Sequence, residues 1–129
     1  MHKKVLVIDD NPVDRYVAER IFKKYSFAEE IVCIDSARKG LEYLFSFKDT
    51  PEQLPHFIFL DIMMPEMNGF EFLEEYESLP DTIKDSCTVL MLTTSIHTDD
   101  RNKAKDNPYV SKFLNKPLSL AILKELEGL

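Results

Sequence analysis

Five short stretches of this chain are apolar at consecutive positions: residues 5–8 (VLVI), 31–34 (IVCI), 57–60 (FIFL), 89–92 (VLML) and 110–114 (VSKFL), the last broken by Ser111 and Lys112. A strand with one face in water alternates apolar and polar residues; a strand buried on both faces does not. These runs therefore need cover on two sides. The segments between them supply it, since they carry apolar residues at helical spacing. Strands alternating with helices imply right-handed crossovers and a parallel sheet, an α/β architecture with helices on both faces. At 129 residues the chain has the size of one ordinary domain, read as residues 1–129.

The helix signals are local. Asn11 is a capping residue, Pro12 suits a first turn, and Asp14 sits near the positive end of the helix that follows. Val13, Val17, Ile21 and Tyr25 recur every four residues and predict its buried stripe. Ser36 can cap a second helix with Ala37, Leu41, Leu44 and Phe45 on one side. A third begins near Asn68 and Gly69, with Phe70, Leu73 and Tyr76 inward, or Phe72 and Leu79 on an adjoining track. Residues 98–106 are polar apart from Ala104, which predicts a short, exposed and mobile fourth helix. The last helix begins near Ser119 and uses Leu120, Ile122, Leu123 and Leu126. Two long connections, residues 46–56 and 79–86, contain Pro51, Pro55 and Pro80 and read as surface loops.

Composition narrows the function. The net charge of −7 opposes non-specific nucleic-acid binding, which depends on neutralising phosphates with Lys and Arg. No apolar stretch approaches the length needed to span a bilayer, so no membrane role is expected. The first apolar run is short and ends in Asp9 and Asp10, which does not suit a signal peptide, and the expected location is the cytoplasm. Cys33 and Cys87 lack metal-ligand spacing and read as buried, reduced thiols.

In open parallel sheets, ligands bind beyond the carboxyl ends of the strands, where strand order reverses. Four of the five runs end in a chemically matched set: Asp9 and Asp10 after the first, Asp61 after the third, Thr93 after the fourth, and Lys116 after the fifth. The second leads only to Asp35 and Ser36. Three carboxylates, a hydroxyl and an ammonium at one sheet edge suit a divalent cation and a phosphoryl group held together.

With these residues placed, the chain resembles the receiver domain of bacterial two-component response regulators. The matching text is VLVIDD at 5–10, FLDIMMPEMNG at 59–69, VLMLTT at 89–94 and FLNKP at 113–117. The resemblance implies a doubly wound, five-stranded parallel sheet in the order 2-1-3-4-5, a flavodoxin-like three-layer sandwich. It implies that Asp61 is the nucleophile and takes a phosphoryl group from a sensor histidine kinase or a histidine phosphotransfer protein. Asp10, Asp61 and the backbone carbonyl of Met63 are implied as Mg²⁺ ligands, with Asp9 acting through a bound water. Lys116 is implied as the charge on the phosphoryl oxygens, with a cis bond to Pro117. Thr93 and Phe113 are implied as the switch pair, and the fourth helix, fifth strand and fifth helix as the face that meets a downstream protein. The implied role is a phosphorylation-activated switch rather than a turnover enzyme, with self-catalysed phosphorylation and dephosphorylation.

Some positions depart from the family pattern. Met63 is apolar and does not orient water through its side chain, Thr94 stands where a smaller residue is usual, and Ser95 is small. Asp106, Asn107, Pro108 and Tyr109 replace a small pair before the fifth strand. Two other readings of the site stand beside the switch. One is a Mg²⁺-dependent phosphohydrolase with Asp61 as nucleophile; the other is a constitutive binding scaffold. The leading reading is a stand-alone receiver.

Overall fold

The computed structural model describes residues 2–94 and 97–127. Five strands form one parallel sheet: β1 (His2–Ile8), β2 (Ala28–Ile34), β3 (Phe57–Leu60), β4 (Thr88–Thr93) and β5 (Val110–Asn115), in the order β2-β1-β3-β4-β5. Around it lie α1 (Pro12–Lys24), α2 (Ala37–Phe45), α3 (Gly69–Tyr76), α4 (Asp81–Lys84), α5 (Thr98–Asp106) and α6 (Leu120–Leu126). The expected doubly wound sandwich is the observed one.

The consecutive apolar runs divide between two cores. Leu6, Ile8, Ile58, Leu60, Val89 and Met91 face α2, α3, α4 and α5. Val5, Val7, Phe57, Phe59, Leu90 and Leu92 face α1 and α6. Every residue of β3 is buried, as a central strand covered on both sides requires. β5 is an edge strand, and its register slips between Val89 and Leu90, leaving Ser111 as an extra residue. That bulge accounts for Ser111 in the polar break; Lys112 is paired with Leu90.

The capping residues act as read. The Asn11 side chain accepts from the backbone of Val13 and Asp14, Ser36 from Lys39, and Ser119 from Ile122. Asn68 and Glu71 form a reciprocal capping box at the start of α3. The two long connections carry more order than expected. A 3₁₀ turn, Pro51–Gln53, lies in the first, and α4 occupies the second. The first is tied to the sheet by the buried ammonium of Lys4, which donates to the Gln53 carbonyl and, at 3.2 Å, to the Tyr43 hydroxyl.

The stripe assigned to α1 is corrected. Val13 is 65% exposed, and Val17 and Tyr25 are at the margin of solvent, while Ala18 and Phe22 are buried. A four-residue repeat drifts around a 3.6-residue helix, so the tracks through 17 and 18 compete. Two contacts decide. The Phe22 ring lies 4.9 Å from Phe59 and 5.5 Å from Phe27, and Arg15 donates at 2.8 Å to the Asp9 carbonyl, fixing the start of the helix. Asp14, Ala18 and Phe22 follow at four-residue steps, so the buried track ends over the strand termini. Phe45 on α2 and Leu120 on α6, also expected inward, are exposed at the ends of their helices. α5 is exposed as expected, with Ala104 its one buried residue.

Cys33 and Cys87 are half-buried free thiols rather than fully buried ones, and burial pushes the Cys87 thiol up to about 12. Among the described residues, no helix is long and apolar enough to cross a membrane.

Phe22→Ala should cost about 3–5 kcal/mol in urea unfolding, because it empties the aromatic contact under α1. Val13→Ala should stay within about 0.5 kcal/mol. Equal costs would return Val13 to the core.

Candidate functional site

Strand register brings the acids together. Ile8 pairs with Leu60, so the next residues on adjacent parallel strands, Asp9 and Asp61, leave the sheet side by side. The Asp61 amide donates at 3.0 Å to the Ile8 carbonyl, and the Asp9 amide at 3.0 Å to the Ile34 carbonyl. Asp9, Asp10 and Asp61 each present an oxygen within 4.8 Å of the others. Asp9 and Asp61 are buried, and Asp10 is the most open of the three.

Lys116 enters from the other side. Its amide donates at 2.9 Å to the Thr93 carbonyl, which extends the β4–β5 register by one step and fixes where the side chain starts. The bond from Lys116 to Pro117 is cis, as the resemblance implied. The ammonium donates to Asp9 Oδ2 at 2.6 Å, Asp14 Oδ2 at 2.7 Å and Asp61 Oδ2 at 3.2 Å. An ammonium has three protons, and each has a carboxylate partner.

The site is short of positive charge. Burial raises the Asp9 pKa above the ordinary carboxylate value, and the Asp61 charge adds to the rise; hydrogen bonds from Lys116 and the Asn11 amide only partly oppose it. For Lys116, burial works to lower the pKa, but hydrogen bonds to Asp14 and Asp9 and the charge of Asp61 outweigh it and hold it above the lysine range. Burial leads the Asp9 shift, while the surrounding carboxylates lead the Lys116 shift. The donor set fits a hard divalent cation such as Mg²⁺, whose ligands are oxygens at ~2.0–2.1 Å. The three carboxylates would close in around such an ion.

The turn after β3 frames Asp61. The Met63 amide donates at 3.3 Å to Asp61 Oδ1, while the Met63 side chain is 65% exposed. Glu66 has φ of 67°, and Met67 donates at 2.7 Å to the Pro65 carbonyl, closing a tight three-residue turn in the left-handed region. Gly69 then donates at 3.0 Å to the Ile62 carbonyl, and a Cβ built there would stand 2.5 Å from the Asp61 carbonyl oxygen. The glycine of the motif is needed because the backbone of α3 passes against the backbone of the acid.

Thr93 is fully buried at the end of β4, and Thr94 is exposed. Phe113 is half-buried and packs against the core, with the Arg101 guanidinium 5.5 Å above its ring. Ser95 lies outside the described residues. The segment before β5 has a defined form: Asn107 Oδ1 accepts from the Tyr109 amide at 2.9 Å, and the Tyr109 ring meets Tyr76 at 5.4 Å. Of the residues around Lys116, Asp14 was read from sequence only as a helix-entry acid. No motif marks it, and its pairing depends on which face of α1 turns inward.

Residues 5–126 match the response regulator receiver domain. The chain belongs to that family. The receiver is 31% identical over 127 residues to the two-component response regulator ORR1 of rice (Oryza sativa subsp. japonica), covering 97% of this chain and 54% of that protein. The chain thus spans about half the length of that relative. Among solved structures, a two-component response regulator from Cytophaga hutchinsonii superposes with a TM-score of 0.91 at 26% identity, covering 98% of this chain and 95% of that one. The Mn²⁺-bound form of the response regulator Rcp1 superposes at 0.74 with 25% identity, covering 98% and 90%.

Two tests address the site. Asp10→Asn should raise the metal-free Tm by ~3 °C, because it relieves like-charge repulsion, whereas millimolar Mg²⁺ should stabilise the wild type more than the variant. The Asp10→Asn gain should shrink on acidification. Asp9 binds its proton more tightly folded than unfolded, so its burden on stability is relieved as pH falls through the raised folded pKa, ending near the unfolded value of about 3.8. A gain that is unchanged by pH and Mg²⁺ would contradict this. Gly69→Ala should cost about 2–3 kcal/mol, as the backbone beside Asp61 must shift; denaturation within ~0.5 kcal/mol of wild type would refute the close approach.

Proposed function

We propose that residues 1–129 form a phosphorylation-activated signalling switch, with Asp61 accepting a phosphoryl group from a phosphohistidine on a sensor kinase or phosphotransfer protein. The single observation that carries this reading is the Asp61 carboxylate at the meeting point of a trio of acids and a buried ammonium. Membership of the receiver family supports the phosphodonor class.

An oxygen of Asp61 attacks phosphorus, the bond from phosphorus to the donor imidazole nitrogen breaks, and the imidazole leaves with that electron pair. Asp10, Asp61 and the Met63 carbonyl would hold Mg²⁺, with Asp9 supporting them. When bound, the cation neutralises phosphoryl oxygens. Lys116 does the same from the opposite side and is already within hydrogen-bond reach of Asp61. The product adds about 1.5–2 negative charges in place of one carboxylate.

That charge is what the switch reads. Thr93 has a hydroxyl donor at the end of the strand beside β3 and turns toward the phosphoryl group. Phe113 follows into the space released, without the hydrogen bond a tyrosine would make. The consequence reaches a downstream protein through the face of α5, β5 and α6. α5 suits this because it buries so little: its ordering is easily shifted by a change beneath it. The exposed apolar side chains of Val13, Tyr16 and Val17 lie on α1 beside the site and suit the approach of a phosphodonor protein.

A small-molecule phosphohydrolase is less well supported. The cavity beside Lys116 is small, about 110 Å³, and Asp61 does not line it, so it offers the proposed nucleophile no enclosed substrate pocket. Intact-mass analysis after acetyl phosphate and Mg²⁺ should show one phosphoryl group on the wild type and none on Asp61→Asn. Equal labelling of both would remove Asp61 as acceptor. Repeated turnover of phosphomonoesters would favour the hydrolase, and no labelling by acetyl phosphate or any kinase would favour a constitutive scaffold.

A further inference from the structure

The Lys116 ammonium does not sit closest to the proposed acceptor. It lies 2.7 Å from Asp14 and 2.6 Å from Asp9, and 3.2 Å from Asp61. Its side chain is 10% exposed and that of Asp14 33%, so this pair is sheltered from the screening that weakens surface ion pairs. The backbone of Asp14 is anchored at the helix start. Its amide donates to the Asn11 side chain at 3.2 Å, and the next residue, Arg15, is fastened to the Asp9 carbonyl at 2.8 Å. A cavity bordered by Asp14, Val17, Lys116 and Leu118 lies on the α1 side of the ammonium, and Asp61 does not line it. The lysine is drawn toward α1.

We propose that Asp14 is a positioning residue that competes with Asp61 for Lys116 and restrains the ammonium before phosphoryl transfer. The inference rests on the reading of Asp61 as acceptor. When a phosphoryl group arrives, its oxygens lie farther from α1 than Asp14 does, so Lys116 must loosen one strong pair to neutralise them. A charge-assisted hydrogen bond is about twice as strong as a neutral one, so this pair opposes the transition state rather than assisting it. Asp14 therefore sets how readily the site accepts phosphate without touching the reacting atoms.

The test compares the wild type with Asp14→Asn, which keeps shape and removes charge, at saturating Mg²⁺ so that metal affinity does not enter. Phosphorylation by acetyl phosphate, followed by intact mass, should be about 3- to 10-fold faster in D14N, the change expected from one hydrogen bond. In a Lys116→Gln background the same substitution should change nothing, because the competition is for that ammonium. Crystal structures should show Lys116 Nζ closer to Asp61 in D14N than in the wild type. A D14N rate equal to or below the wild type, or an increase that persists without Lys116, overturns the proposal. If the wild type does not label at Asp61, the acceptor reading fails, and the position of Lys116 in the D14N crystal still decides the restraint: an ammonium that does not move refutes it.

Discussion

Among the described residues, the ammonium of Lys116 is the cation to which the sheet's carboxyl edge is fastened through three carboxylates. Its bonds join the end of β1 through Asp9, the start of α1 through Asp14, and the end of β3 through Asp61, while its own backbone is tied to β4 at Thr93. Leaving those acids together without it would bury charge with no partner, which costs several kcal/mol per ion. Four carboxylates, Asp9, Asp10, Asp14 and Asp61, gather around this one ammonium, and burial with the Asp61 charge keeps the Asp9 pKa raised even with the lysine in place. The edge is thus built to take up positive charge, and this property connects cation binding, the proposed phosphoryl chemistry and the stability of the metal-free fold.

The sheet makes that edge possible. In-register parallel strands present successive residues at the same height, so an acid that follows Ile8 and one that follows Leu60 must meet. Burial on both faces leaves the strand ends as the place where these central strands expose polar groups. The opposite edge has a different economy: Lys4 is buried there against the 51–53 turn and the ring of Phe47, and serves the packing of a connection. One edge concentrates unlike charges that can be rearranged, and the other uses a cation as a fixed peg.

The fold was legible because its signals are local and repeated. Consecutive apolar runs require two-sided burial, and Asn11, Ser36, Asn68 and Ser119 mark helix starts through hydrogen bonds to their own next turn. Asp9, Asp10, Asp61 and Lys116 could be paired across the chain because each follows a strand. The rotation of α1 could not be read that way. Its apolar residues allow neighbouring tracks, and the choice between Val17 and Ala18 is made by the Phe22 contact with Phe59 and by Arg15 at the Asp9 carbonyl, both long in sequence or dependent on side-chain direction. The role of Asp14 was hidden for the same reason. It becomes a partner of Lys116 only once the 14–18–22 track faces the sheet.

The misread helix therefore has a physical link to the site. Turning Ala18 and Phe22 inward places Asp14 against Lys116 and leaves Val13, Tyr16 and Val17 outward, so one rotation sets both the charge balance and the neighbouring apolar surface. A docking protein that pressed on that surface would act on the helix that carries Asp14. On the other side of the sheet, α5 is held by little more than Ala104 and by contacts such as Arg101 over Phe113. A site braced by buried charges thus stands beside a helix held weakly by packing. Under the proposed switch, a change in charge at the braced end would have its largest structural effect where the least burial resists it, at α5 rather than at α1.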